Sequence, residues 1–348
     1  MSPFMMNAWY VIANSGEIGE KPLARTILNK KLVIFRTASG EYGALLDRCP
    51  HRMAPLSFGE VIGETLRCGY HGLAFDPHGK CVSALLGTVP SGAKVQSFPV
   101  KLAHGLIWMW AGDPGKADPS QIPDFSFIDA AMAENRWVIH DYTHVQANYQ
   151  IETDNLMDLS HIELIHRGTF GGRGVIQNGK FDYQSSEKQV DANWWMPSVP
   201  SPLPDLPKGG TGIIDHWLDM RWHAPSAMRL QLGYAIAGEV DPPNRESANR
   251  GFQYHILSPE TEKTTHYFWG GTQSTDLMGE YSADMTRGAL ATAFQNEDKP
   301  ILEAVQSNTV TDFWSEKPLS LKTDAGGVLA RRALEKLIAA EEGALAKG

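Results

Sequence analysis

The chain has 348 residues, 42% of them apolar and 20% charged, with a formal net charge of −9. This is a globular composition long enough for two domains; the acidic balance argues against a nucleic-acid partner, whose phosphates need clustered Lys and Arg, and no apolar run approaches the roughly 20 residues of a membrane span. The first residues lack the basic region and cleavage site of a secretory signal.

Up to Trp110 the chain reads as β-rich. Lys31–Arg36 is a strand, Thr37–Gly40 its turn, Tyr42–Leu46 the return strand, and Gly105–Trp110 a further strand. Gly112–Pro119 is rich in turn residues, and it divides the sequence into domains 1–116 and 117–348. Beyond it, Asn155–His166 has helical periodicity. Trp194–Pro207 is proline-rich and expected to be loop. His216–Ala237 and Phe252–Gly271 alternate as strands do. Ser282–Asn308 reads as one long helix with a kink at Pro300. Val328–Ala346 reads as an amphipathic helix with Leu329, Ala333, Leu334, Leu337 and Ile338 on one face.

Two motifs carry chemistry. Cys49-Pro50-His51 is followed, after sixteen residues, by Cys68-Gly69-Tyr70-His71. Each arm brings one sulfur and one imidazole, whereas the common zinc finger supplies both cysteines before both histidines. This order suits a [2Fe–2S] centre with cysteines on one iron and histidines on the other, an electron relay rather than a staple; a structural zinc accepts the same donors and stays open. Of the three cysteines only Cys81 is then left, as a buried small residue, so no intrachain disulfide is available and a reducing cytoplasm is expected.

The second motif runs from Asp154 to His166. Asp154, Asp158 and His161 fall on one face of an ideal helix. His166 lies about 140° round from His161 at ~100° per residue, so a π-type bulge or a helix end is expected near His166, with Gly168 as terminator. The spacing excludes the zinc-protease pattern. Two histidines and a carboxylate form the facial triad of non-haem iron oxygenases, which leaves positions open for dioxygen.

The run CPHRMAPLSFGEVIGETLRCGYHGLAFD, together with Asp158, His161 and His166, resembles the terminal oxygenase components of the Rieske non-haem iron family, over essentially the whole chain. Asn7–Val11, Asn155–Leu159, Tyr267–Gly270 and Asp324–Val328 are similar to the vanillate O-demethylase branch of that family, and next to the dicamba O-demethylases. Gly168–Pro207 departs from the vanillate pattern, so the resemblance carries the reaction type further than the substrate.

The resemblance implies an α+β chain: an all-β Rieske domain, then a catalytic domain of antiparallel sheet flanked by helices, of the helix-grip or START-like kind. It implies one [2Fe–2S] cluster on Cys49, His51, Cys68 and His71, and one mononuclear iron on His161, His166 and a distant aspartate. Asp298 is that aspartate, with Glu297 as the neighbouring alternative. Asp158 would bridge His71 of another subunit to His161 of its own, which implies a homotrimer. Electrons would come from NAD(P)H through a flavin/iron–sulfur reductase or a ferredoxin. The reaction implied is O-demethylation of a methoxylated aromatic acid to a phenol and formaldehyde. Hydroxylation of an aromatic methyl or ring carbon and N-demethylation are the alternatives, and a non-catalytic Rieske carrier a more distant one. His223, His255 and Trp269 are candidates for the substrate pocket, and Asp154 and Asn155 for support around the iron ligands.

Overall fold

The computed structural model of the chain describes residues 3–85, 87–171, 174, 176–201, 212–238, 249–273, 282–310, 315 and 318–345. They form two compact units, one ending at Pro123 and rejoined by Ser258–Thr261, the other running from Asp124 to Leu257 and from Glu262 onward. Among the described residues no helix is long and apolar enough to cross a membrane.

The first unit is all-β. Strands β1 (Trp9–Asn14), β2 (Leu23–Ile27), β3 (Lys30–Arg36), β4 (Tyr42–Leu46), β5 (Glu60–Ile62), β6 (Thr65–Arg67), β7 (Ala74–Phe75), β8 (Cys81–Ser83), β9 (Ser97–Phe98), β10 (Val100–Ala103) and β11 (Leu106–Trp110) make three small sheets. Their orders are β1-β11-β10, β2-β3-β4-β9 and β5-β6-β7-β8. The apolar runs of β1 and β11 are buried along their whole length, as expected of strands covered on both faces. Val33, Phe35, Leu45, Leu56, Leu66 and Phe75 form a core that includes Cys49, Cys68 and Cys81. The turn-rich Gly112–Pro119 belongs to this unit. Asp113 and Asp118 each cap a short 3₁₀ turn there, and the Trp9 indole donates to the carbonyl of Asp118 at 2.9 Å. These ties carry the compact unit past residue 116, to Pro123.

The second unit has α1 (Ser126–Ala133), β12 (Val138–Val145), α2 (Tyr149–Met157), α3 (Ile162–Ile165), β13 (Lys180–Ser185), β14 (Gln189–Pro200), β15 (Ile213–His223), β16 (Ala227–Ile236), β17 (Asn249–Pro259), β18 (Thr265–Thr272), α4 (Ala283–Ala291), α5 (Lys299–Asn308) and α6 (Ala325–Leu345). One seven-stranded antiparallel sheet runs β12-β18-β17-β16-β15-β14-β13. Successive side chains alternate across it, so one row on one face reads Val190, Trp222, Met228, His255. The next row, on the other face, reads Asp191, Arg221, Arg229, Tyr254. Phe294, in the turn just before α5, lies against His255, Tyr267 and Trp269 with ring centroids 5.4, 5.8 and 5.2 Å apart. The His255 face is therefore the inner one.

Three expectations need correction. Trp194–Pro200 is strand, not loop: Trp194 and Met196 alternate into the interior and pair with Leu218 and His216. Pro197 is absorbed where the register shifts between Met196 and Val199, with Ser198 at φ 54°, because a bulge needs no ladder donor, and Pro200 is the strand's last residue. The remainder of that stretch, 202–207, lies outside the described residues. Asn155–His166 is not one helix. Asp158 leaves helical geometry (φ −109°, ψ 91°) and caps the Ser160 amide at 2.9 Å, starting a new turn; aspartate favours that position. A helix end does fall at His166, the C-cap of α3. Thirdly, the kink expected at Pro300 is a widening ahead of it: Thr292–Asp298 is π-helical, and the Lys299 amide reaches back to the carbonyl of Phe294. Pro300 has no N–H to donate and its ring crowds the preceding turn, so the helix accommodates it by opening one turn.

The C-terminal helix begins three residues before its expected start, and its buried stripe is Ala330, Leu334 and Ile338. Its first turn lies close on α2. A β-carbon on Gly326 would lie 3.0 Å from the Met157 carbonyl, and one on Gly327 2.8 Å from Asp154 Oδ1.

Candidate functional site

In the first unit, the two Cys–His arms are near copies of each other. The Cys49 amide donates to Ala54 O and the Met53 amide to Cys49 O, both at 2.9 Å. Likewise the Cys68 amide donates to Leu73 O and the Gly72 amide to Cys68 O, at 2.8 and 3.0 Å. Each arm turns back through a left-handed residue four places after its cysteine, Met53 at φ 61° and Gly72 at φ 72°. Glycine takes that conformation at no steric cost; at Met53 the paired backbone bonds hold it. The arms bury both sulfurs, Cys49 at 2% and Cys68 at 3% exposure, and leave His51 and His71 exposed with ring centroids 4.5 Å apart. Burial, and then the neighbouring Cys68, push the Cys49 thiol up. Two sulfurs enclosed in the core and two imidazoles at the surface match a cluster with chemically different ends, its histidine end open to an electron-transfer partner. A zinc staple needs no such asymmetry.

In the second unit, His161, His166 and Asp298 bring three donor atoms within 4.8 Å of one another. His161 Nε2 is 3.7 Å from Asp298 Oδ1 and His166 Nε2 is 3.3 Å from Asp298 Oδ2. The imidazole rings stand at 71° to each other. The break at Asp158 turns His161 toward His166, which an unbroken helix would not do. Each ring is fixed through its other nitrogen. His161 Nδ1 donates to the backbone carbonyl of Asp158 at 2.5 Å. His166 Nδ1 donates to Glu297 Oε2 at 2.8 Å. Both Nε2 atoms are thereby left as donors toward one point, the usual outer support of a metal-binding histidine. Burial lowers the His161 pKa against the pull of Asp298, keeping a neutral ligand. At His166 burial acts the same way, but Asp298 and Glu297 outweigh it and the net shift is upward. Asn155 Nδ2 approaches Asp298 Oδ1 at 3.4 Å. A divalent iron fits this set of two imidazoles and one carboxylate, with room left for other ligands.

Other expected residues stand elsewhere. Asp154 faces α6, where its carboxylate pairs with Arg331; one residue's rotation on α2 separates it from Asn155. Burial holds the Asp154 carboxyl up at about 6, with Arg331 pulling the other way. The Asp158 carboxylate does not meet His161. Its oxygens accept from the Ser160 amide and from Thr323 Oγ1 at 3.2 Å, because capping the new turn claims them. His223 lies on the sheet face opposite His255: strand alternation puts Trp222, not His223, in the inner row. His255 and Trp269 are on the inner face, both buried. The Trp269 indole is occupied by Thr143 Oγ1 at 3.0 Å, so it offers a ring and no free donor.

Glu297 is the residue whose part the motif reading missed. The π turn lets consecutive carboxylates, Glu297 and Asp298, address opposite nitrogens of one imidazole. Thr169 Oγ1 donates to the same Glu297 oxygen at 2.8 Å. A β-carbon on Gly168 would lie 2.8 Å from the other one. The signal in the sequence is the adjacency of two acids just before Pro300.

Known protein families match a stretch of each unit. Residues 8–99 match the Rieske [2Fe-2S] domain family, and residues 145–340 match the vanillate O-demethylase oxygenase C-terminal domain family. The oxygenase component of dicamba O-demethylase from Stenotrophomonas maltophilia is 38% identical over 96% of this chain and 98% of its own length. The oxygenase component of a chloroacetanilide N-alkylformylase from Rhizorhabdus wittichii is 34% identical, with 97% of each chain covered. A crystal structure of dicamba monooxygenase bound to 3,6-dichlorosalicylic acid superposes with a TM-score of 0.89 at 36% identity, covering 97% of this chain and 99% of the other.

Proposed function

The chain belongs to the Rieske non-haem iron oxygenases of the vanillate O-demethylase group, and from that membership we propose that it is the oxygenase component of a monooxygenase that O-demethylates a methoxylated aromatic acid. The overall reaction joins an aryl methyl ether, O2, two electrons and two protons to give a phenol, formaldehyde and water. The observation that carries this reading is the buried His161–His166–Asp298 group beside an aromatic wall, in a chain matched over nearly its full length by an O-demethylase.

The family's cofactors are one Rieske [2Fe–2S] cluster and one mononuclear iron. When bound, the cluster supplies single electrons and the mononuclear iron binds and activates dioxygen. Cys49, His51, Cys68 and His71 hold the cluster in this reading, and His161, His166 and Asp298 the iron. The remaining residues set geometry. The Asp158 carbonyl and Glu297 fix the tautomers of His161 and His166, and Asn155 steadies Asp298. Phe294, Tyr267 and Trp269 line the site with apolar surface that keeps water out and suits an aromatic ring. His255 is held neutral by burial, its pKa lowered to about 4, and supplies a hydrogen bond to the substrate's polar group.

Electrons reach the chain from NAD(P)H through a separate reductase or ferredoxin. The working unit is a cytoplasmic homotrimer in which His71 of one subunit meets Asp158 of the next. The exposure of His71 and the half-buried position of Asp158 support that route. A second reading, removal of an N-alkyl group or hydroxylation of a methyl or ring carbon, is favoured by the similarity to the N-alkylformylase component.

The test is formaldehyde release by purified protein with reductase, NADH and a panel of vanillate, syringate, 3-methoxybenzoate and dicamba. At least one ether is expected to yield formaldehyde with matching NADH oxidation. Formaldehyde from none of them, with both metal centres filled, overturns the demethylase reading.

A further inference from the structure

Thr323 lies 165 residues beyond Asp158 and touches it, and the proposed function gives it no part. It sits in the 3₁₀ turn Lys322–Asp324, immediately before α6. That turn is closed on itself: the Asp324 amide donates to the Leu321 carbonyl at 3.2 Å, and the Leu321 amide donates back to Asp324 Oδ2 at 2.5 Å. The backbone that follows imposes its place. Gly326 and Gly327 approach α2 so closely that added β-carbons would sit 3.0 Å from the Met157 carbonyl and 2.8 Å from Asp154 Oδ1. The turn is thereby brought to the end of α2, where Asp158 leaves the helix. From the other side, the Tyr183 hydroxyl of edge strand β13 donates to the Thr323 carbonyl at 3.0 Å. Burial, and then the charges of Asp158 and Asp324, push this phenol up to about 12, so it stays protonated and donates.

The contacts form one line. Tyr183 holds the Thr323 backbone, and Thr323 Oγ1 donates to Asp158 Oδ2 at 3.2 Å. The Asp158 carbonyl accepts from His161 Nδ1 at 2.5 Å, and His161 Nε2 is left 3.7 Å from Asp298 Oδ1. Asp158 is the weak member of this line. Its amide still closes α2, but its ψ of 91° turns the carbonyl out of the helix, so the helical ladder does not fix that carbonyl. The carboxylate is tied twice instead, by the Ser160 amide at Oδ1 and by Thr323 at Oδ2. The Ser160 tie reaches only two residues along the chain and moves with the turn it caps. The Thr323 tie is anchored on α6 and β13, and it fixes the Asp158 turn against them. A hydroxyl donating to a carboxylate is stronger than a neutral pair, and an anchored turn has already lost the freedom that forming the bond would cost.

We propose that Thr323 is a positioning residue of the mononuclear iron site: its hydroxyl holds the Asp158 turn so that the Asp158 carbonyl keeps His161 Nε2 directed at the point it shares with His166 and Asp298. The assignment rests on the iron reading of those three residues. It requires no particular substrate.

The experiment measures iron affinity by chelator competition in wild type, Thr323→Val and Thr323→Ser, each with its cluster filled. It also records the shape of the EPR signal of the ferrous site with nitric oxide as probe. Valine has the shape of threonine without the hydroxyl, and serine keeps the hydroxyl. Thr323→Val should bind iron about fivefold more weakly, the scale of one net hydrogen bond and less than the roughly 10–100-fold lost with a group that touches the ring itself. Its EPR line shape should differ from wild type at equal iron occupancy, which a general loss of stability would not produce. Thr323→Ser should match wild type in both. Because the hydroxyl acts through the Asp158 carboxylate, adding Thr323→Val to Asp158→Ala should weaken iron binding no further. Wild-type affinity and line shape in Thr323→Val, a loss in Thr323→Ser as large as in Thr323→Val, or a further loss in the double variant overturns the assignment and leaves the iron reading standing. A His161→Ala variant that holds iron as tightly as wild type would overturn the iron reading, and the assignment with it.

Discussion

His166 shows how the proposed iron site is set residue by residue. Its Nε2 faces Asp298 at 3.3 Å while its Nδ1 is held by Glu297 at 2.8 Å. Glu297 is itself held by Thr169. Removing it frees the ring to rotate, and outer-shell losses of this kind weaken metal binding by about 10–100-fold. Glu297→Ala is expected to lower iron affinity on that scale in a chelator competition, with the cluster's visible absorption unchanged; an unaltered affinity would mean the ring is fixed by other contacts. At this scale the cysteine and histidine spacing was legible because the ligands lie close in sequence and the pattern is chemically unusual. Glu297 and Asp154 were not, since a carboxylate's partner is decided by the rotation of its helix: Asp154 turned to Arg331, and Glu297 reached His166 only through the π turn.

The elements meet tightly where α6 crosses α2. Gly327 has no side chain because Asp154 occupies the space: a β-carbon would lie 2.8 Å from its Oδ1 and 3.2 Å from its Cα. The Cα belongs to the backbone and cannot swing aside. Gly327→Ala should cost about 1–3 kcal/mol, as overpacking does, read as a lower denaturant midpoint with the iron still bound. An unchanged midpoint would show that α6 can shift freely. Lys31–Arg36, Tyr42–Leu46, Gly105–Trp110, the two long strand-like stretches of the second unit and the tail helix could be read from local pattern, because burial on one face imposes it; the short strands of the first unit could not. The breaks could not. Asp158 and the π turn before Pro300 are local departures in which caps and a missing donor override propensity, and both lie beside the proposed iron ligands. Strand content was also underestimated at Trp194–Pro200, where Pro197 sits at a bulge and the strand runs on to Pro200.

At the scale of the whole molecule, two centres serve one reaction. The first unit buries two sulfurs and exposes two imidazoles; the second brings His161, His166 and Asp298 together from its helical turns. Division of the chain into an electron-carrying unit and an oxygen-handling unit was legible from the two motifs alone. The substrate was not, because in our reading recognition falls to isolated residues such as His255, on a strand distant in sequence from the motifs. The central claim is that electrons held at the Cys49–His71 centre are consumed at the His161–His166–Asp298 centre. A single turnover tests it most directly: wild type and His161→Ala, with clusters reduced and excess reductant removed, are mixed with O2 and a methoxybenzoate that supports turnover. Wild type should form formaldehyde as its cluster reoxidises, whereas His161→Ala should keep the cluster's absorption, stay reduced over the same interval and form none. Formaldehyde from His161→Ala at the wild-type yield would contradict the account.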